Sequence, residues 1–395
     1  MAKIFQRKLK SLLIKEIEKP GIVLVFGMRQ VGKTTLLTDI FGGLKAENKI
    51  FLDIENPLNQ KIFEEQNYDN ILSNMKPLGL NQTHRMFIFI DEIQVAPEIV
   101  KPVKYLYDHY KIKFFLTGSS SFYLKNLFPE SLAGRKIIYE LYPLDFTEFL
   151  IFKERKKRFS DSFLQKAKNK NKIAFETYSK LYDEYLNFGG FPAVVIEEDT
   201  ERKKMILADI FKSYFEKDVK VLGDFKNINN FRDIILLLAG RTGSKLDISK
   251  IASEIGVSRE TVYSYLNFLE KTYFVSFVSP FSKNINGEVR CAKKVYFCDT
   301  GMLNYLGKIP DGTLFENAVF NTLKKVDTIN YYQRYRGAEI DFILNKKIAF
   351  EAKMKSSDID IKRLKRIVSK LGLNEFYIVS KYFDKNTNVI SAQDL

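Results

Sequence analysis

Histidine and cysteine are nearly missing from this sequence. There are two of each, His84, His109, Cys291 and Cys298, in 395 residues. So few cysteines exclude a disulfide framework, and so few ligands of either type argue against a zinc site. Long apolar runs are missing too. No stretch reaches the 18 or so apolar residues that a membrane-spanning helix needs. Residues 1–18 alternate Lys and Glu with Leu and Ile, as an amphipathic helix does, without a signal peptide's apolar segment. These shortages point to a cytoplasmic protein with no membrane partner.

What is present is a hydrophobic content of 45%, enough for a folded chain, and a length that allows two or three domains. Lys and Arg outnumber Asp and Glu to give a net charge of +15. An excess of that size favours an anionic partner, either nucleic acid or a membrane surface, although a solvated, Lys-rich surface has the same composition.

Residues 27–34 read Gly-Met-Arg-Gln-Val-Gly-Lys-Thr and fit the P-loop pattern G-x-x-x-x-G-K-[ST] without a mismatch. The apolar run Ile22-Val23-Leu24-Val25-Phe26 before it predicts a buried parallel strand, and residues 35–41 have helical spacing. In this context the backbone of Gly27, Arg29, Gln30, Val31, Gly32, Lys33, Thr34 and Thr35 is expected to wrap phosphate oxygens at a helix N-terminus. The Lys33 ammonium would reach the β- and γ-phosphates, and the Thr34 hydroxyl would ligate Mg²⁺. A second strand is predicted at residues 49–54. Residues 86–90 form an apolar run closed by Asp91-Glu92, the Walker B pattern. Asp91 is expected to hold Mg²⁺ and Glu92 to polarise the attacking water as general base. A further strand at 113–117 leads into Gly118-Ser119-Ser120-Ser121, and Thr117 or Ser119 is expected to sense the γ-phosphate. Arg135 stands at the start of a strand predicted over 137–141. It reads either as an arginine finger, in cis or toward a neighbour, or as a surface residue.

Residues 150–235 are Lys-rich and helical. Their basic cluster at 152–172 suits nucleic acid or a solvated face. Residues 247–255, Gly256, and a helix over Arg259–Lys271 with Ser258 as N-cap form a helix-turn-helix pattern. Segments 274–278 and 289–297, with Asn286-Gly287 as the turn, would make a wing. Arg259, Thr261, Tyr263 and Ser264 would lie near base edges, while such a domain equally serves for packing. Further on, a hairpin centred on Lys346 pairs Asp341 with Glu351 and Glu339 with Lys353. All four then share one face. Two carboxylates facing each other suit a bridging divalent cation, beside which Lys353 would stabilise developing charge. The bland alternative is a half-buried hairpin with a Glu339–Lys353 salt bridge. Gln333, Arg334 and Arg336 are placed to contact phosphate.

Together with the sequence at 141–149, Leu-Tyr-Pro-Leu-Asp-Phe-Thr-Glu-Phe, these motifs resemble the archaeal and bacterial AAA-type ATPases that carry a C-terminal PD-(D/E)xK nuclease-like domain. Gly189-Gly190-Phe191-Pro192 and the run from Tyr296 to Gly301 extend the resemblance. It implies an α/β protein: a P-loop NTPase core with a five-stranded parallel sheet over 1–150, a helical lid over 151–235, a winged helix-turn-helix over 236–306, and an α/β nuclease-like domain over 307–395. It also implies ATP and Mg²⁺ as cofactors. The family's acidic motif maps onto Asp341, Glu351 and Lys353, and its helix acid onto Glu316, which would make a second Mg²⁺ or Mn²⁺ site. The expected function is ATP binding and hydrolysis by a protein acting on, or regulated by, DNA. The alternatives are an ATP-gated nuclease and a nucleotide-dependent switch holding a protein partner or a second copy of the chain.

Overall fold

The computed structural model describes residues 4–120, 134–157, 159–220, 227–282, 292–334 and 337–395. Ser121, Leu132, Ala133, the turn expected at Asn286-Gly287, Val289 and Arg336 lie outside them. The chain divides into two compact units, residues 1–142 with 271–273, and residues 143–270 with 274–395.

The first unit is built on five parallel strands: β1 (Ile22–Phe26), β2 (Lys49–Asp53), β3 (Phe87–Asp91), β4 (Lys113–Gly118) and β5 (Lys136–Glu140). Their spatial order is β2-β3-β4-β1-β5. Uninterrupted apolar runs make the central strands. Every residue of β1, β3 and β4 is buried, while the edge strand β2 alternates and the edge strand β5 has no fully buried residue. Phe89 stacks on Phe115 across β3 and β4 at 4.9 Å between ring centroids. Because the strands are parallel, all their carboxyl ends lie on one edge, where ligands bind in open α/β sheets.

The second unit holds a seven-stranded mixed sheet, ordered β12-β11-β10-β9-β8-β6-β7. Its strands are β6 (Val275–Pro280), β7 (Lys294–Phe297), β8 (Ile329–Gln333), β9 (Glu339–Leu344), β10 (Ile348–Lys353), β11 (Glu375–Ser380) and β12 (Val389–Ser391). Helices at Ile228–Ala239, Ile248–Ile255 and Arg259–Lys271 precede β6. Gly256 ends the second of these in the left-handed conformation (φ 73°), and Ser258 Oγ accepts from Thr261 N at 3.1 Å to start the third. β6 pairs antiparallel with β7 and parallel with β8. The strands expected of a separate wing are therefore part of one sheet with the C-terminal strands, and no break falls at 306/307.

Two motifs far apart in sequence meet inside this unit. Asp299 caps the helix Thr300–Leu306 through Met302 N at 2.9 Å and also accepts from Gly190 N at 2.6 Å. Thr300 Oγ1 donates to Tyr185 O at 3.0 Å. The basic cluster is partly engaged as well. Lys157 pairs with Asp394 at 2.8 Å, Lys166 donates to Leu395 O, and Lys170 donates to Val389 O at 2.9 Å. Those three ammonium groups satisfy the end of the chain and do not form the open stripe that a nucleic-acid reading of 152–172 requires. No helix among the described residues is long and apolar enough to cross a membrane.

Candidate functional site

The phosphate-binding geometry begins with two glycines that are needed for different reasons. Gly32, at φ 93°, is the left-handed N-cap of the helix Lys33–Gly43. Gly27 instead faces Leu141, where a Cβ would lie 2.1 Å from the carbonyl oxygen. The Lys33 side chain is buried, and its ammonium donates to Gly27 O and Met28 O, both at 3.0 Å. Arg29 lies 3.8 Å from Glu55. Gln30 is exposed at φ 62°, Val31 is buried, and Thr34 and Thr35 are exposed at the start of the helix.

The Walker B acid lies beside the loop. Thr34 Oγ1 donates to Asp91 Oδ2 at 2.6 Å, and Thr117 Oγ1 donates to Asp91 Oδ1. Burial pushes the Asp91 carboxyl above its ordinary range, and the two hydroxyl donors only partly offset that shift. A threonine hydroxyl and a carboxylate are hard oxygen donors, so this pair fits Mg²⁺. Glu92 follows with a left-handed backbone, and its N–H donates to Thr117 Oγ1 at 3.1 Å. Ser119 is buried just past the end of β4. Thr117 and Ser119, both candidates for the sensing role, thus sit at the carboxyl edge of the sheet, Thr117 against Asp91 and Ser119 against Gln94.

Sequence reasoning missed two side chains here. Gln94, buried in the short turn Ile93–Val95, bonds to both Glu92 and Ser119. Only its position two residues after the Walker B pair hinted at it. Arg7 is also buried, and its guanidinium donates to Val31 O and Tyr142 O, each at 2.7 Å. Nothing in the sequence connects it to the loop it braces. Removing two bonds from a charged group costs roughly 3 kcal/mol. Arg7→Ala is accordingly expected to lower the urea midpoint of unfolding and to weaken ATP affinity. An unchanged midpoint would show that the brace contributes nothing.

Arg135 requires a correction. In the parallel register Ile22 faces Lys136 and Phe26 faces Glu140, so Arg135 lies at the amino edge of the sheet, opposite the P-loop. Its carbonyl accepts from Ile22 N at 2.7 Å, and its guanidinium pairs with Asp108 at 2.5 Å. An arginine finger in cis is thereby excluded, because a strand's start and the P-loop occupy opposite ends of a parallel sheet.

In the C-terminal strands, Ile348 pairs with Leu344 and Phe350 with Phe342. Continued by one step, this register sets Asp341 across from Glu351, as expected. Asp341 accepts from Ala352 N at 2.9 Å, and burial followed by the Glu316 carboxylate pushes it up to about 7. Glu316 is raised by burial and accepts from Tyr296 Oη at 2.7 Å. The expected metal set of Glu316, Asp341 and Glu351 is nevertheless not assembled. Glu351 pairs with Arg363 and, at 3.1 Å, with Lys353. Among the described residues no three His, Cys, Asp or Glu side chains gather closely enough to hold a metal. The Glu339–Lys353 bridge is also replaced, since Lys294 from β7 reaches Glu339 at 2.7 Å. Sheet continuity brought in a cation that hairpin geometry alone did not include.

Comparison with known proteins adds two family matches, two relatives and a solved structure. Residues 19–150 match the family described as "AAA domain", and residues 179–313 match "Domain of unknown function (DUF8612)". An uncharacterized protein of Methanocaldococcus jannaschii is 28% identical over all of this chain and 88% of its own length. One from Haemophilus influenzae is 26% identical over 88% of this chain and 87% of its own. Among solved structures, a Walker-type ATPase of Pyrococcus abyssi aligns with 77% of this chain and 96% of its own, at 16% identity and a TM-score of 0.49. The family match over residues 19–150, with the P-loop geometry above, likens this part of the chain to an AAA-type P-loop domain.

Proposed function

We propose that this chain is a Mg²⁺-dependent ATPase whose turnover responds to DNA. The observation that carries the hydrolysis reading is the contact of Thr34 with Asp91 at 2.6 Å, next to a buried Lys33 and ahead of Glu92. Thr34 and Asp91 would hold Mg²⁺, which when bound neutralises phosphate charge. The Lys33 ammonium exchanges the loop carbonyls for β- and γ-phosphate oxygens. The carboxylate of Glu92 takes a proton from the attacking water, and the β–γ bond breaks to give ADP and phosphate.

The DNA part of the proposal is supported by the net charge of +15 and by the exposed side of the helix Arg259–Lys271, which presents Arg259, Tyr263, Ser264 and Asn267. It is tested by measuring turnover with and without duplex DNA at two salt concentrations. Stimulation of several-fold that fades as salt rises is expected. Turnover indifferent to DNA but altered by a protein partner would favour the switch reading. Calorimetry with Lys33→Ala tests the nucleotide site itself, and loss of Mg²⁺-dependent ATP affinity is the expected result.

A further inference from the structure

We infer that Gln94 is a positioning residue that couples the base Glu92 to the end of β4, so that Ser119 and Glu92 move as one. This rests on the hydrolysis reading above. Gln94 is 3% exposed, and its amide is used at both ends. Nε2 donates to Glu92 Oε2 and to Ser119 Oγ at 3.0 Å, while Oε1 accepts from Ser119 N at 3.1 Å. One planar amide thus spans two residues that sequence separates by a helix and a strand.

Two further features keep that amide in place. A Cβ at Gly118 would lie 3.0 Å from Gln94 Oε1 and 3.0 Å from the Phe26 ring, so a larger residue would crowd Gln94 from below. Glu92 adopts φ 56° and ψ 44°, a left-handed conformation that costs a non-glycine residue on the order of 1 kcal/mol. Strain of this kind persists where the surroundings fix it, and the bonds to Gln94 and from Glu92 N to Thr117 contribute to fixing it here.

The chemical consequence follows from the planarity of both groups. An N–H bonded to one carboxylate oxygen sets the plane in which the other oxygen presents its lone pair. Ser119 follows β4 directly, at the edge where the terminal phosphate would bind. A displacement of Ser119 on nucleotide binding is therefore carried through the Gln94 amide to the base.

The test uses the full chain and three readouts: ADP affinity by calorimetry, and KM and kcat for ATP. Gln94→Leu is expected to bind ADP within about twofold of wild type and to keep KM within a few-fold, while kcat falls at least tenfold. Gln94→Glu keeps the shape but loses the N–H that donates to Glu92 and Ser119, so kcat is again expected to fall at least tenfold with ADP affinity kept. A residue that merely fills space would tolerate Gln94→Glu and would not lower kcat apart from affinity. Should Gln94→Leu not fold, Gln94→Glu carries the test. If wild type turns over ATP and both variants match its kcat, the coupling is refuted and the site reading stands. If wild type binds ATP without turning it over, both fall.

Discussion

Glu92→Gln is expected to lower ATP turnover by about a thousandfold while ATP affinity stays within a few-fold of wild type. The amide cannot take a proton from water, yet it is nearly the shape of the carboxylate and can still accept from Gln94. The phosphate-facing groups, Lys33 and Thr34, are untouched by the change. Affinity and turnover therefore separate, and single-turnover kinetics beside calorimetry read the two directly. Turnover that survives the substitution would mean that another group activates the water. In that case the left-handed backbone at Glu92 would serve only to turn the chain out of β3.

Part of this site was legible from the sequence, because local pattern and sheet physics agree there. Runs such as 22–26 and 87–90 are apolar at every position, and only strands covered on both faces look like that. A strand that ends in Asp-Glu must deliver both acids to the edge where the P-loop sits once the sheet is parallel. The register of β9 and β10 was legible for a similar reason, since a short turn at Lys346 fixes which residues face each other. What escaped the sequence was long-range. Arg135 stayed open between a finger and a surface residue, because its motif does not by itself show at which end of the sheet the residue lies. The alternative of a Glu339–Lys353 bridge could not be decided locally, because Lys294 enters only through the joining of β6 and β7 to the C-terminal sheet. Arg7 and Gln94 show no periodicity and match no motif, and only their distances identify them.

Gly301→Ala is expected to prevent the second unit from folding, because its Cβ would lie 2.0 Å from Phe188 O, a backbone atom that cannot swing aside. The cost exceeds the roughly 4–5 kcal/mol that marks the extreme of single substitutions. Gly189 and Gly190 show why the contact is so tight. A Cβ on the first would overlap Asp299, and one on the second would come within 2.2 Å of Leu144 O. Far-UV circular dichroism and limited proteolysis check the outcome, and a protease-resistant second unit in Gly301→Ala would overturn it. The same junction makes stability depend on pH. Burial pushes the fully enclosed Asp299 carboxyl from 3.8 up to about 6, against the opposing pull of the Gly190, Met302 and Gly301 N–H groups. A carboxyl raised in the folded state contributes stability that is present below pH 4 and lost as pH rises through 6, about 3 kcal/mol in all. In Asp299→Asn that titration is gone, but one backbone N–H now meets an amide N–H₂ in place of an acceptor. The variant is therefore less stable than wild type at low pH, and the gap narrows toward pH 7. Melting temperatures of the two proteins between pH 4.5 and 7.5 test this, and a gap that stays constant would show that Asp299 does not titrate in the folded chain.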